Sequence, residues 1–261
     1  MVKKGQENIE ESRAPFVEHL SELRKRVIIC IVAIGVGFGL SWTWVEQIFN
    51  FLLEPLRQAA SSPEMANIHH RGLTEPFFVL LKTAIFTGVM LAIPVILHQI
   101  WKFVAPGLYP DERKVALPFV ITGTTSFLIG GAFCYFIILP FGYSALLSFG
   151  QEVSTPELMM EEYLSLTTKM ILAFGAIFEM PLVTTMLARL GLVTHRQMLD
   201  VWRYALVGCF IIGAILTPPD VVSQLLLAIP MMFLYMISVG CAWAFAPRKA
   251  VEDAPDKPPA A

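Results

Sequence analysis

The sequence predicts an all-α, polytopic inner-membrane protein with six transmembrane helices. Its composition, its six apolar runs and the uneven placement of its basic residues lead to this prediction. Of 261 residues, 56% are hydrophobic and 15% are charged, whereas about 25% of a soluble domain is charged. A soluble globule could not bury so much apolar surface, and the same composition excludes intrinsic disorder. The net charge of -2 argues against a nucleic-acid-binding protein.

Hydropathy places the six candidate spans near 27–45, 77–101, 116–139, 164–188, 204–217 and 221–246. A helix needs about 20 apolar residues to cross a hydrocarbon core of ~30 Å. The fifth apolar run is shorter, because only 13 residues from Tyr204 to Leu216 precede the Pro-Pro turn. Such a helix thins the bilayer or is sheltered by its neighbours. The tight turn predicts that spans five and six form a helical hairpin.

The distribution of Lys and Arg predicts the orientation. Fifteen of the 19 basic residues lie in four segments, namely 1–26, 102–115, 189–203 and the tail after Pro247. The spans place these segments on one side of the membrane, and the positive-inside rule assigns that side to the cytoplasm. We therefore expect a protein of the cell inner (cytoplasmic) membrane with both termini cytoplasmic. The two long loops on the opposite side are acidic and are expected to carry structure of their own.

Three regions follow from this topology. Residues 1–26 are a cytoplasmic N-terminal segment, residues 27–246 are the six-helix transmembrane domain, and residues 247–261 are a disordered cytoplasmic tail. The N-terminal segment shows no evident signal-peptide cleavage site. Each of the four cysteines stands singly in an apolar run, which is typical of small buried hydrophobes. We expect no metal site and no cofactor.

Segment 15–27, PFVEHLSELRKRV, has the pattern of an amphipathic helix at the cytoplasmic interface. Its apolar residues share one helical face: Phe16, Leu20, Leu23 and Val27. Glu22 precedes Arg26 by four residues on the polar part of the helix. Periodicity alone favours a plain membrane anchor whose charges are solvated.

The loop between spans two and three, WKFVAPGLYPDERKVALP, contains a second acidic candidate, Glu112. Asp111 and Glu112 precede the next helix, where negative charge complements the helix dipole, and capping is the simpler role. Glu22 and Glu112 are nevertheless both acidic residues among basic neighbours on the cytoplasmic face. Such a pair matches two guanidinium groups, because Arg and carboxylate bind as a bidentate fork.

Glu179 is the most informative single residue, because it lies near the middle of span four. An ionisable group at that depth is costly and normally marks a function. The alternative is a structural glutamic acid bonded to a backbone carbonyl that the nearby Pro181 leaves free. Desolvation disfavours the charged carboxylate. The resting side chain is therefore expected to be neutral and able to bond a polar side chain of an incoming helix.

The hairpin of spans five and six carries polar residues around its turn. Asp220 is placed to cap the start of span six, which is ordinary turn chemistry. Thr217 and Gln224 bring further polar groups into the short hairpin, and such groups commonly bond across membrane helices. They predict a docking patch for a single-span partner, with turn chemistry alone as the alternative.

Motifs of soluble enzymes are absent from the sequence. It contains no GxxxxGK[ST] phosphate loop, no HExxH zinc motif and no GxSxG nucleophile elbow. We therefore expect no enzymatic activity. No internal repeat typical of secondary transporters is evident either.

Together these stretches resemble the TatC family, the multispanning core of the twin-arginine protein translocase. The resemblance rests on HLSELRKR at 19–26, PFFVLLK at 76–82, AIPVILHQIWKFVAPGLYPDERK at 92–114, AFGAIFEMPLV at 173–183 and LTPPDVVSQLLLAIPM at 216–231. Only the tail and the first dozen residues fall outside it. It implies a concave, glove-like bundle with short fifth and sixth helices.

The resemblance further implies a cytoplasm-facing receptor for signal peptides that bear paired arginines. The residues expected to bind the peptide are Glu22, Glu112, Arg24, Arg26 and Phe103. Thr217, Gln224 and Glu179 are expected to dock partner helices, and Pro55 and Asp220 to serve structure or transport. The implied partners are folded cargo with twin-arginine signal peptides, single-span TatA- and TatB-type subunits, further copies of the chain and membrane lipid. Energy would come from the proton motive force.

A proton-coupled small-solute carrier centred on Glu179 is the alternative function. One isolated mid-membrane acid makes a poor proton relay. An export receptor binds a twin-arginine peptide and needs single-span partners, whereas a carrier moves solute alone in liposomes.

Overall fold

The structure, a computed structural model, describes residues 2–60, 68–104, 116–148, 158–216 and 221–245, without the side chains of residues 2–19, 104, 116, 222 and 223. The described chain is almost entirely helical. Its helices are α1 Val2–Trp42, α2 Val45–Ala59, α3 Glu75–Val104, α4 Ala116–Phe133, the π-helical segment Cys134–Ile138, α5 Leu139–Ser148, α6 Met160–Phe178, α7 Met180–Arg189, α8 His195–Asp200, α9 Trp202–Leu216 and α10 Val221–Phe245. Two short strands, β1 Ile68–His69 and β2 Leu158–Met159, complete the described elements. The predicted tail lies outside the described residues.

The helices confirm the predicted all-α membrane architecture. Within the described ranges, four stretches are long and apolar enough to cross a bilayer: Glu75–Phe103, Leu117–Ser148, Met160–Arg189 and Gln224–Phe245. The first predicted span lies in α1, and Leu20–Trp42 passes the same test together with α2, from which a 90° bend separates it. The fifth span is α9, an apolar helix of 15 residues. Its shortness agrees with the prediction.

Helical structure extends further than the sequence predicted. The amphipathic segment 15–27 is helical, and it continues without a break into the first span as part of α1. The third span does not end at residue 139, because Pro140 lies in the first turn of α5, where a proline is tolerated. The short helix α8 was not predicted.

Helix α2 occupies residues that the sequence assigned to a loop, and its formation has a clear cause. Its buried residues include Phe49, Leu52, Leu53 and Leu56. Leu52, Leu53 and Leu56 follow Phe49 by three, four and seven residues, which places all four on one face of the helix. The Pro55 in this segment favoured a loop, but tertiary packing keeps it inside the helix.

The described chain divides into two compact units, residues 1–45 with 81–124 and residues 46–80 with 125–261. Within the first unit, α1 and α3 pack antiparallel through small residues. The Ser41 hydroxyl donates to the carbonyl oxygen of Ala84 at 3.0 Å. A Cβ added at Gly37 would lie 2.7 Å from the carbonyl oxygen of Gly88, so glycine is what allows this close backbone approach.

In the second unit, α7, α8 and α10 enclose a cluster of buried side chains: Ala188, Met198, Tyr235, Val239 and Ala242. The Tyr235 hydroxyl donates to the carbonyl oxygen of Met198 at 2.7 Å. This hydrogen bond links α10 to α8. It also satisfies the Met198 carbonyl group, since buried carbonyl groups need a donor.

The turn between α7 and α8 is defined by its caps. Gly191 has a φ of 71°, and its N–H donates to Ala188 at 3.0 Å while the N–H of Leu192 donates to Leu187 at 3.0 Å. This is a Schellman motif, which favours glycine at that position. Thr194 then starts α8 with a capping box formed with Gln197.

The two acidic loops carry structure where they are described, as predicted. Strands β1 and β2 pair in parallel. The Arg71 guanidinium donates to the Glu162 carboxylate at 2.5 Å, and Glu75 accepts from the backbone N–H groups of Arg71 at 2.5 Å and Glu161 at 3.1 Å. We call these four residues the Arg71 cluster. It joins the start of α3 to the start of α6.

Candidate functional site

Arg26 links the N-terminal part of α1 to the end of α3. Its Nη2 donates to Oε1 of Glu22 in an ion pair across one helical turn, and its Nη1 donates to the carbonyl oxygen of Gln99 at 3.1 Å. The Nε atom is buried and has no hydrogen-bond partner among the described residues. The side chain of Arg26 is 14% exposed and that of Glu22 is 39% exposed. A well-anchored guanidinium therefore holds a carboxylate that stays accessible.

The register of α1 against α3 brings Phe103 to the same end of the first unit. Glu22 lies four residues before Arg26, and Phe103 lies four residues after Gln99. Because α1 and α3 are antiparallel, these two steps run in the same direction along the helix pair. Phe103 is half-buried. Glu22 and Phe103, singled out from distant parts of the sequence, therefore lie level with each other.

Two further predicted peptide-binding residues contribute less to this geometry. Arg24 is exposed on α1. Glu112, the second predicted carboxylate, lies outside the described residues. Among the described residues, α1 and α3 contribute the contacts around Arg26 and Glu22.

Glu179 lies at the junction of α6 and α7, inside the long apolar stretch Met160–Arg189. Both of its carboxylate oxygens are buried, and neither has a hydrogen-bond partner among the described residues. The alternative of a carboxyl group bonded to a free backbone carbonyl therefore finds no support in the described chain. A buried polar group without a partner is costly, so Glu179 is poised to accept or donate a hydrogen bond.

Close packing of α4 on α6 precedes this junction. A Cβ added at Gly175 would come within 2.6 Å of the Phe127 ring, and one at Gly130 within 2.6 Å of the Phe174 carbonyl oxygen. The Ser126 hydroxyl donates to the Phe178 carbonyl oxygen at 2.7 Å. Because α6 is held up to its last residue, the position of Glu179 is well defined.

Gln224 is the described member of the predicted polar hairpin. Its Nε2 donates to the carbonyl oxygen of Phe210 in α9 at 3.0 Å. Its Cγ lies 3.3 Å from the position of a Cβ added at Gly213. The side chain therefore bonds across the hairpin, as expected for a polar group between membrane helices. Thr217 and Asp220 lie outside the described residues.

Pro55 is buried within α2, and its effect on the backbone is directly visible. A proline has no N–H, so it cannot bond the carbonyl group four residues earlier, which here belongs to Phe51. The Tyr135 hydroxyl donates to this carbonyl oxygen at 2.6 Å, and the Tyr163 hydroxyl donates to that of Leu52 at 2.6 Å. The Tyr135 hydroxyl thus supplies the donor that Pro55 lacks, and the Tyr163 hydroxyl adds a second hydrogen bond to the α2 backbone.

The sequence did not point to Tyr135, Tyr163 or the Gln99 carbonyl group. Pro55 could have pointed to a residue such as Tyr135, because a proline inside a helix leaves a carbonyl group that needs a donor from elsewhere. Among the described residues, no group of three or more His, Cys, Asp or Glu side chains is arranged to hold a metal ion.

Long apolar helices and a short hairpin helix define a multi-pass helical membrane protein. A sequence model of the family described as Sec-independent protein translocase protein (TatC) matches residues 18–230. The chain belongs to the TatC family.

Relatives and solved structures agree with this assignment. TatC of Desulforapulum autotrophicum is 42% identical over 240 residues, which are 92% of this chain and 88% of that relative. TatC of Aquifex aeolicus is 39% identical over 227 residues, which are 86% of this chain and 93% of that relative. Two crystal structures of a twin arginine translocase receptor, TatC, match with TM-scores of 0.77 and 0.78 at 37% and 38% identity. Each match covers 86% of this chain, and 97% and 99% of the two solved chains.

Proposed function

We propose that this chain is the signal-peptide receptor and core of a twin-arginine translocase. It binds the twin-arginine signal peptides of folded proteins and takes part in their export across the cell inner membrane, driven by the proton motive force. The observation that carries this proposal is the family match over residues 18–230, which includes both acidic candidate segments. The basic residues, concentrated in four segments of the sequence, support a cytoplasmic location for both termini.

The peptide-binding residues in this proposal are Glu22, Glu112, Arg24, Arg26 and Phe103. Glu22 is supported by its geometry, because its carboxylate already accepts one guanidinium group, that of Arg26. The exposed part of the same carboxylate offers a place for a guanidinium of the peptide. Phe103 at the same level supplies an apolar contact for the residues beside the arginines. Glu112 provides the second carboxylate.

TatA- and TatB-type single-span subunits are the proposed partners within the membrane. Their helices dock at Glu179, Thr217 and Gln224, while Pro55 and Asp220 serve structure or transport. The buried and unpartnered carboxyl oxygens of Glu179 support docking, since a polar side chain of an incoming helix supplies the missing hydrogen bond. In this proposal residues 1–26 are a cytoplasmic N-terminal segment with an amphipathic helix, residues 27–246 are the six-helix transmembrane domain and residues 247–261 are a cytoplasmic tail.

Cross-linking to a signal peptide tests this function. The full chain in nanodiscs is mixed with a photoreactive signal peptide that carries either two arginines or two lysines. We expect cross-links to α1 with the arginine peptide and much weaker ones with the lysine peptide, because lysine cannot form the bidentate fork. Equal cross-linking of both peptides, or none, contradicts the receptor function. Solute uptake by the chain alone in proteoliposomes would instead support a carrier built around Glu179.

A further inference from the structure

The Glu22 carboxylate, proposed above to receive a peptide arginine, already binds a guanidinium group of its own chain. Nη2 of Arg26 donates to Oε1 of Glu22 across one turn of α1. A bidentate fork between an arginine and a carboxylate uses both carboxylate oxygens. A peptide arginine therefore cannot form an unshared fork with Glu22 while Arg26 stays in place.

Arg26 is fixed more firmly than an ordinary surface arginine. Its Nη1 donates to the carbonyl oxygen of Gln99 in α3 at 3.1 Å, and its side chain is largely buried whereas that of Glu22 is accessible. Moving the guanidinium away from Glu22 would leave a largely buried cation without its carboxylate, which is costly. We therefore expect Arg26 to remain beside Glu22 when a peptide binds, so that the two guanidinium groups share one carboxylate.

The charges around Glu22 act in the same direction. Arg24 and Lys25 are exposed on the same turn of α1 and precede Arg26 directly, so three consecutive basic residues follow the carboxylate within four positions. A peptide with two arginines brings further positive charge to this turn. Repulsion between like charges and the sharing of Oε1 both weaken the hold of Glu22 on a peptide arginine.

We propose that Arg26 is an internal competitor for the Glu22 carboxylate, and that it keeps the peptide arginine weakly held and quickly released. This role rests on the proposed receptor function and adds a regulation of the same binding site. Arg26 then takes part in peptide binding through Glu22 rather than through a contact of its own. Because affinity differences between related complexes lie mostly in the dissociation rate, the competition is expected to show in peptide release.

Removing the competing charge is expected to slow the release of the peptide. Arg26→Gln lacks the cation, yet its amide can still donate a hydrogen bond to Glu22. A peptide arginine then gains the shared oxygen, and we expect dissociation to become about tenfold slower, the effect of one hydrogen bond to a charged group. Arg26→Lys keeps the charge but has one nitrogen in place of the two that serve Glu22 and Gln99. Its release rate is expected to lie between those of the wild type and Arg26→Gln.

Release of a fluorescent twin-arginine peptide from the full chain in nanodiscs tests this role. The labelled peptide is bound, an excess of unlabelled peptide is added, and the dissociation rate is measured for the wild type and both Arg26 variants. Lys25→Gln is the matched control, because it removes the same charge from the neighbouring, exposed position. We expect it to change the rate by less than about twofold, since salt screens an exposed charge.

A Glu22→Gln background separates competition from a general effect on the fold. With no carboxylate to share, Arg26→Gln is expected to slow release no further. Release by Arg26→Gln at or above the wild-type rate overturns the competitor role, and so does a slowing that persists in the Glu22→Gln background. If its melting temperature shows that Arg26→Gln is unfolded, Arg26→Lys decides the question, and release no slower than wild type overturns the role. Equal binding of twin-arginine and twin-lysine peptides by the wild type would instead contradict the receptor function, and the competitor role with it.

Discussion

Glu179 has no hydrogen-bond partner within the described chain, and this isolation defines its chemistry. A buried polar group left unsatisfied costs about 1–3 kcal/mol. The energy is recovered when another helix brings a polar side chain to the same position. The residue therefore suits a docking role better than a proton relay, which needs a chain of exchanging groups.

Substitution of Glu179 distinguishes these roles. Glu179→Gln keeps hydrogen-bonding capacity without exchanging a proton, whereas Glu179→Ala removes both. For docking, we expect the Gln variant to export a folded twin-arginine reporter at much of the wild-type rate and the Ala variant to fail. Equal failure of both variants would indicate proton carriage. Wild-type export by Glu179→Ala would refute both roles.

Glu22 makes a second prediction at the scale of single residues. Glu22→Gln or Glu112→Gln is expected to weaken binding of a twin-arginine peptide by ~1.5–3 kcal/mol, the worth of one hydrogen bond to a charged group. Replacing both residues by Lys is expected to abolish binding. Fluorescence titration of a labelled peptide measures these changes. Normal binding by the double Lys variant would show that the carboxylates are not the receptor groups.

At the scale of elements, α2 is a helix that depends on its neighbours. Pro55 removes one intrahelical hydrogen bond, and the hydroxyl group of Tyr135 replaces it at the Phe51 carbonyl. The Phe51 and Tyr135 rings also stack, with centroids 4.5 Å apart. A helix that sequence rules would break is thus completed by side chains from elsewhere in the second unit.

A double-mutant cycle tests this dependence. Tyr135→Phe is expected to destabilise the chain by ~1–3 kcal/mol, because it leaves the Phe51 carbonyl unsatisfied. In a Pro55→Ala background the same change is expected to cost much less, since alanine has the backbone N–H that proline lacks and restores the intrahelical donor. Thermal unfolding in detergent gives the two values, and Tyr204→Phe, at an exposed site, is the control. Equal costs in both backgrounds would contradict this account of α2.

At the scale of the whole molecule, apolar runs and basic residues were enough to predict a polytopic helical protein with a short fifth span. The sequence did not reveal α2, because Pro55 and the acidic residues around it are typical of a loop, and only packing overrides them. The sequence identified Glu22 and Glu179 as site residues, but it did not show which hydrogen-bond or ion-pair partners each carboxyl group has. The Glu22 carboxylate is held by Arg26 one turn further along α1, and the Glu179 carboxyl group is buried without a partner among the described residues. The hydrogen bond of Arg26 to Gln99 and the burial of Glu179 depend on contacts distant in sequence.

The orientation of the molecule yields a prediction that labelling measures directly. In a background without the four free cysteines, Leu73→Cys and Arg196→Cys are placed at exposed positions. We expect an impermeant thiol reagent added to intact cells to label the cysteine at 73 and not the one at 196. Inside-out vesicles are expected to give the reverse. Labelling of both positions from one side would contradict the proposed topology.

The π-helical segment Cys134–Ile138 determines what the deletion of one residue in this part of the chain would do. A π-turn accommodates one more residue than the α-helical turn it replaces, so the helix after it is rotated relative to an uninterrupted α-helix. The hydrogen bond between Tyr143 and Thr167, 2.7 Å long, lies beyond this rotation. Deleting one residue from the segment would restore a regular helix yet turn Tyr143 away from Thr167. A chain that lacks one residue in this segment would therefore have α5 rotated about its axis. Residues along α5 and α6 would have to differ as well for the two helices to pack.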